Sequence, residues 1–522
     1  MDFLIHHMLR NSARRFPDKE ALVHGGERLL YREVEQRVSG LAHGLREAGA
    51  GRGDRIGIYL DASVPQALSI FGVSRADGVY VPINGLLFPE QVAHIARDCQ
   101  MTGLITTREK LEALSPVLKE IPSLQFLVLV GAGGPTDTQL EVHGFEELCA
   151  LTPPAASRER AIEKDLAAIL YTSGSTGKPK GVMLSHAQVM AGASIVSTYL
   201  EITDADRILA VLPFSFDAGM NQLMTAWQQG GTIILINFVF AREVVQTLIK
   251  ERVTGLAGVP TFWSLMSQPS SSLAKQPVPL RYITNTGGAM PQPVLATLRK
   301  LLPTTRVYLM YGLTEAFRST YLPPEELDKR PTSMGKAIPD TEILVIGEDG
   351  KPVKPGETGE LVHRGPTVSM GYWGQPELTA KVLRPHPYLP PELGDVERVC
   401  YSGDYVRMDE DGFLYFIGRR DTMIKSSGFR VSPTEVEEVL FKSGLVKGAA
   451  VIGIPDEMLG QTIKAFVVGR DGEPLAVEKL REFCAGNMPR HMVPKAIEAL
   501  DEMPKTTSGK VDYPALRRRE GL

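Results

Sequence analysis

What the chain lacks narrows its possibilities first. Its 522 residues include four cysteines, Cys99, Cys149, Cys400 and Cys484, far apart and never in the close pairs that zinc sites use. That spacing excludes a disulfide scaffold and predicts a reduced, cytoplasmic protein. Long apolar runs are missing too. The longest candidate, Thr232–Phe240, falls well short of the roughly 18 residues that a membrane helix needs, and it reads as a buried strand. Met1–Pro17 carries His6, His7, Arg10, Arg14 and Arg15 at scattered positions and reads as an amphipathic helix without a secretory apolar core. An excess of charge is also missing: 57 Lys and Arg against 61 Asp and Glu leave a formal −4, no global attraction for nucleic acid or an anionic membrane. Internal repeats and low-complexity tracts are absent. What remains, 43% hydrophobic and 23% charged residues, is ordinary globular composition, and the length predicts about three domains.

Through the first two thirds of the chain, strand and helix patterns alternate. Strands are expected at Asp54–Leu60, Val79–Ile83, Thr102–Thr106, Phe126–Val130, Ile208–Leu212, Thr232–Ile236, Thr254–Gly258 and Tyr282–Thr286, with helices such as Glu33–Gly49, Val64–Arg75 and Gln91–Cys99 between them. This predicts an α/β fold with mostly parallel sheets, with 151–165 as a connector. Beyond about residue 330, Gly- and Pro-rich turns such as Pro355-Gly356-Glu357-Thr358-Gly359 predict an antiparallel β unit. From Val431 the α/β pattern resumes: helix 432–443, strands 447–453 and 463–469, helix 475–488. The predicted division is a large domain over 1–419 and a small one over 420–522.

One stretch organises the chemistry: Tyr171-Thr172-Ser173-Gly174-Ser175-Thr176-Gly177-Lys178-Pro179-Lys180-Gly181. Glycines let a backbone approach a ligand closely, and successive N–H groups make an anion-binding concavity. Hydroxyls and lysines add donors and positive charge, so polyphosphate is the fitting guest. The stretch is not a P-loop: Gly174 and Gly177 are two residues apart rather than bracketing four, and Pro179 follows the lysine. A helix is expected to begin at Ser185 or His186.

Further clusters follow in order. Tyr311-Gly312-Leu313-Thr314-Glu315 ends a strand with a flat ring, a close backbone and a carboxylate suited to Mg²⁺ held together with phosphates. Tyr401-Ser402-Gly403-Asp404 offers a carboxylate for two hydroxyls. Gly418-Arg419-Arg420-Asp421 and Lys425-Ser426-Ser427-Gly428-Phe429-Arg430 are dense in charge and glycine, and Pro504-Lys505-Thr506-Thr507-Ser508-Gly509-Lys510 lies near the C-terminus.

Together these motifs, and their order along essentially the whole chain, resemble the adenylate-forming superfamily: acyl-CoA and aryl-CoA synthetases, amino-acid adenylation domains and beetle luciferases. The resemblance implies a large N-terminal domain of two α/β subdomains plus a β-barrel-like subdomain, closed by a small mobile α+β domain. It implies that a carboxylate attacks the α-phosphorus of ATP, releasing pyrophosphate, and that a thiol of CoA or of a carrier protein's phosphopantetheine then displaces AMP. ATP, Mg²⁺ and CoA are the implied cofactors. By the same resemblance, Thr172, Ser173, Gly174, Ser175, Thr176, Gly177 and Lys180 hold the β- and γ-phosphates. Tyr311 and Gly312 lie at the adenine, with Gly288 and Ala289 as the purine wall. Thr314 touches the α-phosphate and Glu315 helps to hold Mg²⁺. Asp404 and Arg419 bind the ribose, and Lys510 bridges the substrate carboxylate and the α-phosphate. Asp421 is the hinge about which the small domain turns, Gly428 then lines the thiol channel, and Arg430 belongs to the same motif.

The acid pocket implied by the resemblance draws on Phe216, Asp217, Met220, Gly287 and Leu313. Phe214-Ser215-Phe216-Asp217 also resembles the segment in acyl-CoA ligases encoded beside bacterial exosortase systems. Amino-acid adenylation domains keep an aspartate at what corresponds to Asp217, pairing it with the substrate ammonium. A buried, unpaired carboxylate is costly by several kcal/mol. Asp217 is therefore paired within the protein, protonated, or matched to a cationic substrate, and the residues alone leave these open. The expected activity is an AMP-forming acyl-CoA ligase; the alternative is a stand-alone enzyme that loads an amino acid onto a carrier protein.

Overall fold

The computed structural model describes residues 2–131, 138–154, 159–173, 179–394, 397–420, 422–426, 429–456, 460–470, 475–506 and 509–522. Its strand–helix alternation builds two large sheets. The first runs Lys336–Ala337, Ala316–Leu322, Arg306–Leu313, Tyr282–Asn285, Gly255–Gly258, Arg207–Ala210, Thr232–Leu235, Glu20–His24, Glu27–Leu30. Its middle is parallel and its ends are antiparallel. The second runs Gly371–Tyr372, Pro179–Ser185, Leu166–Ser173, Val79–Pro82, Arg55–Tyr59, Gly103–Thr107, Phe126–Val130, Glu141–Gly144. It too is parallel except at the edge that begins with Leu166–Ser173.

A shared core takes side chains from both sheets and from the helices Ile5–Arg15, Tyr31–Glu47, Val64–Arg75, His186–Tyr199 and Asp217–Gln229. Trp227 and Tyr31 are fully buried there. Their polar tips are satisfied by backbone: Trp227 Nε1 donates to Ala21 O at 3.0 Å and Tyr31 Oη to Gly231 O at 2.6 Å. Burial of all faces explains why these strands read as continuous apolar runs rather than alternating ones.

The β-barrel-like unit is an antiparallel sheet ordered Glu342–Ile346, Thr358–Arg364, Arg398–Met408, Leu383–Pro385, with Leu414–Arg419 also paired to Arg398–Met408. The small C-terminal unit pairs Phe429–Val431, Ile424–Ser426, Gly460–Gly469 and Val446–Asp456, with Ala496–Ala499 parallel to Gly460–Gly469. The chain passes from one sheet to the other between Arg419 and Ile424.

Most elements lie within one or two residues of their expected bounds, and Val64–Arg75 and Phe126–Val130 coincide with theirs. The strand Glu141–Gly144 and the helix Phe145–Ala150 were not anticipated. That strand is largely exposed and is defined by its parallel pairing to Phe126–Val130, which leaves no apolar period to read.

Gly219 fixes how the helix Asp217–Gln229 enters the core. A Cβ there would stand 2.0 Å from Pro213 O and 2.7 Å from Leu212 O, both backbone atoms that cannot swing away. Gly219→Ala should therefore destabilise the large domain by about 1–3 kcal/mol, the usual range for overpacking. A lowered midpoint in urea unfolding checks this; an unchanged midpoint would mean that the helix start is free to shift.

Candidate active site

Thr172 pairs with Lys180, and Ser173 with Pro179, where the antiparallel strands Leu166–Ser173 and Pro179–Ser185 approach the glycine-rich turn. Gly174, Ser175, Thr176 and Gly177 lie outside the described residues, as does the side chain of Ser173. Pro179 opens a strand rather than a helix, in keeping with the departure from P-loop spacing. The helix comes later, at His186–Tyr199, capped reciprocally by Ser185 and Gln188: Gln188 N donates to Ser185 Oγ at 3.3 Å, and Ser185 N to Gln188 Oε1 at 2.8 Å.

Strand geometry also assembles the expected nucleotide groups. Arg398–Met408 bulges opposite Leu361, and Gly403 adopts φ +71° there. Asp404, 3% exposed, pairs in register with Arg419 and accepts a hydrogen bond from Arg419 Nε at 3.0 Å. The Tyr311 hydroxyl donates to the other oxygen of Asp404. Tyr311 thus presents a ring whose tilt is tied to the carboxylate beside it. The ring of His363 lies parallel to it at 6.0 Å between centroids. Burial holds His363 neutral, with a pKa lowered to about 3.

Glu315 occupies the turn between Arg306–Leu313 and Ala316–Leu322, with Thr314 beside it, both half-buried. Tyr372 Oη donates to Glu315 Oε1 at 2.6 Å, and no described residue bonds its other oxygen. Tyr372 pairs with Val182, so the carboxylate is pinned to the strand that leaves the glycine-rich turn. One oriented carboxylate with a free oxygen fits a hard cation that takes its remaining ligands from phosphate and water.

The two units meet at Gly287. A Cβ at Gly287 would lie 3.0 Å from Lys510 Cε and 3.4 Å from Lys510 Nζ, so a side chain there would displace the lysine. Gly287 also holds φ +78°, a region that favours glycine. Gly288 and Ala289 beside it are open to solvent, and Gly288 O accepts from Asn285 Nδ2 at 2.8 Å. Much of the Lys510 side chain remains exposed, yet desolvation lowers its pKa; Asp217 and Asp404 oppose that shift, and Arg419 adds to it. Asp217, Asp404, Arg419 and Lys510 therefore share one electrostatic environment, although they come from three units of the fold. Asp217 opens its helix half-buried, and Ala218 N donates to its Oδ1 at 2.6 Å.

The expected pocket residues differ in their surroundings. Phe216 is half-buried beside Asp217. Met220 is 4% exposed and its sulfur lies 3.4 Å from Tyr80 Oη, inside the core. Leu313 packs with Ala316, Val368, Leu383 and Cys400. Asp421 and Gly428 lie outside the described residues, as does the side chain of Arg430. Sequence reasoning missed Tyr372 and His363. Neither sits in a motif that signals its partner, because each contact joins segments of two different sheets.

Among the described residues, one cluster offers metal-type ligands: His6, His7 and Glu159, with donor atoms within 4.8 Å. Phe3 N–H donates to His7 Nδ1, which leaves the ring proton on Nε2, facing Glu159 at 3.0 Å. Arg10 occupies the same carboxylate at 2.6 Å. The cluster is therefore a hydrogen-bonded clasp between the N-terminal helix and the connector, with His7 donating rather than offering a lone pair.

Comparison with known proteins places this geometry. The AMP-binding enzyme family model matches residues 9–373, and the model for the AMP-binding enzyme C-terminal domain matches 435–510. A feruloyl-CoA synthase of Amycolatopsis sp is 32% identical over 516 residues, 98% of this chain and 97% of that protein. A long-chain-fatty-acid–CoA ligase of Salmonella typhimurium is 29% identical, over 97% of this chain and 92% of that protein. The crystal structure of an anthranilate CoA ligase in complex with anthranoyl-AMP superposes with a TM-score of 0.89 at 25% identity, covering 99% of this chain and 97% of that one. The chain belongs to the AMP-binding, adenylate-forming enzyme family and is an AMP-forming acid–thiol ligase of the acyl-CoA synthetase type.

Proposed function

We propose that this chain activates an aryl or fatty carboxylic acid as its acyl-adenylate and passes the acyl group to CoA. The observation that carries the reading is the convergence of Lys510 from the small unit onto Gly287, beside the Tyr311–Asp404–Arg419 cluster. The substrate carboxylate and the α-phosphate are both negative, and a cation between them assembles the pair and stabilises the in-line transition state. The carboxylate oxygen bonds the α-phosphorus as the bond to pyrophosphate breaks, so no general base is needed. Asp404 and Arg419 would hold the ribose, Tyr311 the adenine face, and Thr172 and Lys180 the outer phosphates with the turn between them. Glu315 would hold Mg²⁺, which neutralises phosphate charge when bound. Asp421 would act as the hinge that withdraws Lys510 and brings Gly428 to the thiol, which then bonds the acyl carbon and releases AMP.

The names of the relatives support aryl and fatty acids as the class to test first. The electrostatic coupling of Lys510 to Asp217 supports the same choice, since it lessens the need for a substrate ammonium. A pyrophosphate-exchange screen over aryl, fatty and amino acids, followed by CoA transfer, tests the reading. Acid-dependent exchange with thioester formation is expected. Orthophosphate as the released product would sink it.

Lys510→Ala should lower adenylation by at least about a hundredfold, the usual cost of removing a transition-state charge partner. It should spare thioester formation from supplied acyl-adenylate. Adenylation at the wild-type rate would remove Lys510 from the chemistry.

Asp217→Ala should change exchange with an amino-bearing acid and with its des-amino analogue by the same factor, a ratio near one. Lys510 must be protonated to bridge two anions, and Asp217 raises its pKa. Removing the aspartate therefore lowers that pKa further and moves the basic limb of the kcat/KM profile towards lower pH. An unmoved limb together with a large loss confined to the amino acid would instead make Asp217 an ammonium reader.

A further inference from the structure

Lys510 sits on a tight corner. Thr506 N donates to Lys510 O at 2.7 Å, Lys510 N to Thr506 Oγ1 at 3.2 Å, and Lys505 bridges Val511. Just beyond, Asp512 N donates to Pro504 O at 2.8 Å, and the Asp512 carboxylate caps the terminal helix Tyr513–Arg519 through Ala515 N at 2.9 Å. The lysine and Tyr513 thus ride on one short, internally bonded piece of chain. The Tyr513 ring packs against the cluster of Ala450, Ile452, Phe466 and Leu516 on the small unit's sheet. Its hydroxyl reaches further and donates to Glu437 Oε1 at 2.7 Å.

Glu437 lies on the helix Pro433–Lys442, whose Val436 and Leu440 are fully buried in the small unit's main core. Val451 N, on the strand Val446–Asp456, donates to the same carboxylate oxygen at 2.8 Å. One oxygen thus joins a helix, a strand and the lysine corner. Burial raises the Glu437 carboxyl to about 7 even though its two donors act to lower it. The group is one that the fold holds in a specific place rather than leaving to water.

We propose that Glu437 and Tyr513 form the tether that positions Lys510, and that both are positioning residues for the adenylate-forming step. The inference rests on the functional reading above. A transition-state contact needs its charged group within about 0.5 Å of the productive place. The Lys510 corner projects from the small unit's core to the other unit, with Met503, Val511, Tyr513 and Leu516 packing its base on the sheet. The hydroxyl bond adds a directional fixed point on a helix anchored in the main core and so limits how far the corner can tilt. The thioester step, which proceeds with Lys510 withdrawn, makes no use of this tether.

Tyr513→Phe keeps the ring and removes the bond. It should lower kcat for acid-dependent pyrophosphate exchange roughly tenfold, the scale of one well-placed hydrogen bond to a charged group. KM for ATP and the rate of thioester formation from supplied acyl-adenylate should each stay within about twofold. Glu437→Gln keeps an acceptor oxygen and should retain most of the exchange rate, whereas Glu437→Ala should match Tyr513→Phe. Exchange at the wild-type rate in Tyr513→Phe, or an equal fall in both half-reactions, would overturn the tether while leaving the functional reading intact. A wild-type protein silent with every acid in the screen would overturn the functional reading and the tether's role with it.

Discussion

A carboxylate and a phosphate repel each other, and in the proposed reading that repulsion is answered by one cation, Lys510, brought in from another unit of the fold. Lys510 lies so close to Gly287 that a Cβ there would push the end of the lysine aside by a few tenths of an ångström. Its surroundings then strike a balance. Desolvation disfavours the ammonium, while Asp217 and Asp404 favour it. A lysine in water would be charged but heavily hydrated, and its attraction for an anion at about 4 Å would be on the order of 1 kcal/mol. Partial removal from water strengthens that attraction severalfold, and the two carboxylates keep the charge in place while it does so. The glycine, the two aspartates and the lysine form one device, and none of them serves the chemistry alone.

The nucleotide side of the site depends on sheet register in the same way. Asp404 meets Arg419 because the strands Arg398–Met408 and Leu414–Arg419 pair there, and it meets Tyr311 because the bulge at Gly403 turns the chain. Glu315 is oriented by Tyr372 across the boundary between the first large sheet and the second. Each carboxylate is thus held by a tyrosine hydroxyl from another sheet, an orientation that the protein itself supplies. Preorganisation of this kind lets a polar group act without reorganising at the moment of reaction.

How much of this was legible in the chain follows from what sets each feature. Strands such as Phe126–Val130 and helices such as Val64–Arg75 announce themselves, because their apolar content and caps are local. The glycine-rich turn, Tyr311, Glu315, Asp404 and Lys510 stand out because each lies in a short, compositionally unusual motif. Their mutual approach does not. Tyr372 reads as part of an ordinary aromatic segment, and His363 as one polar residue in an alternating strand; only the packing of one sheet against another gives them partners. Met220 and Leu313 read as pocket residues from their neighbours in sequence; that Met220 also meets Tyr80, and Leu313 the cluster that holds Cys400, is set by distant segments that a local pattern does not show. Asp217 could not be resolved from its own segment, since Lys510, one charge coupled to it, lies at the far end of the chain.

In the proposed reading, a unit that delivers a lysine and then withdraws it faces two requirements that pull against each other. Tight docking would place the charge well but would slow its release. The fold separates the two tasks. Rigidity is built inside the small unit, whose sheet buries Val451, Ala465 and Val467 and whose helix Pro433–Lys442 ties Glu437 to the terminal corner. At the meeting point of the units, by contrast, the lysine lies over a bare glycine, and its charge is opposed by carboxylates that share it with Arg419. Position is therefore set by covalent and packed structure on the lysine's own side, and the interface supplies attraction without a lock. Such a contact can be accurate and short-lived at once, which is what two successive reactions in one site demand.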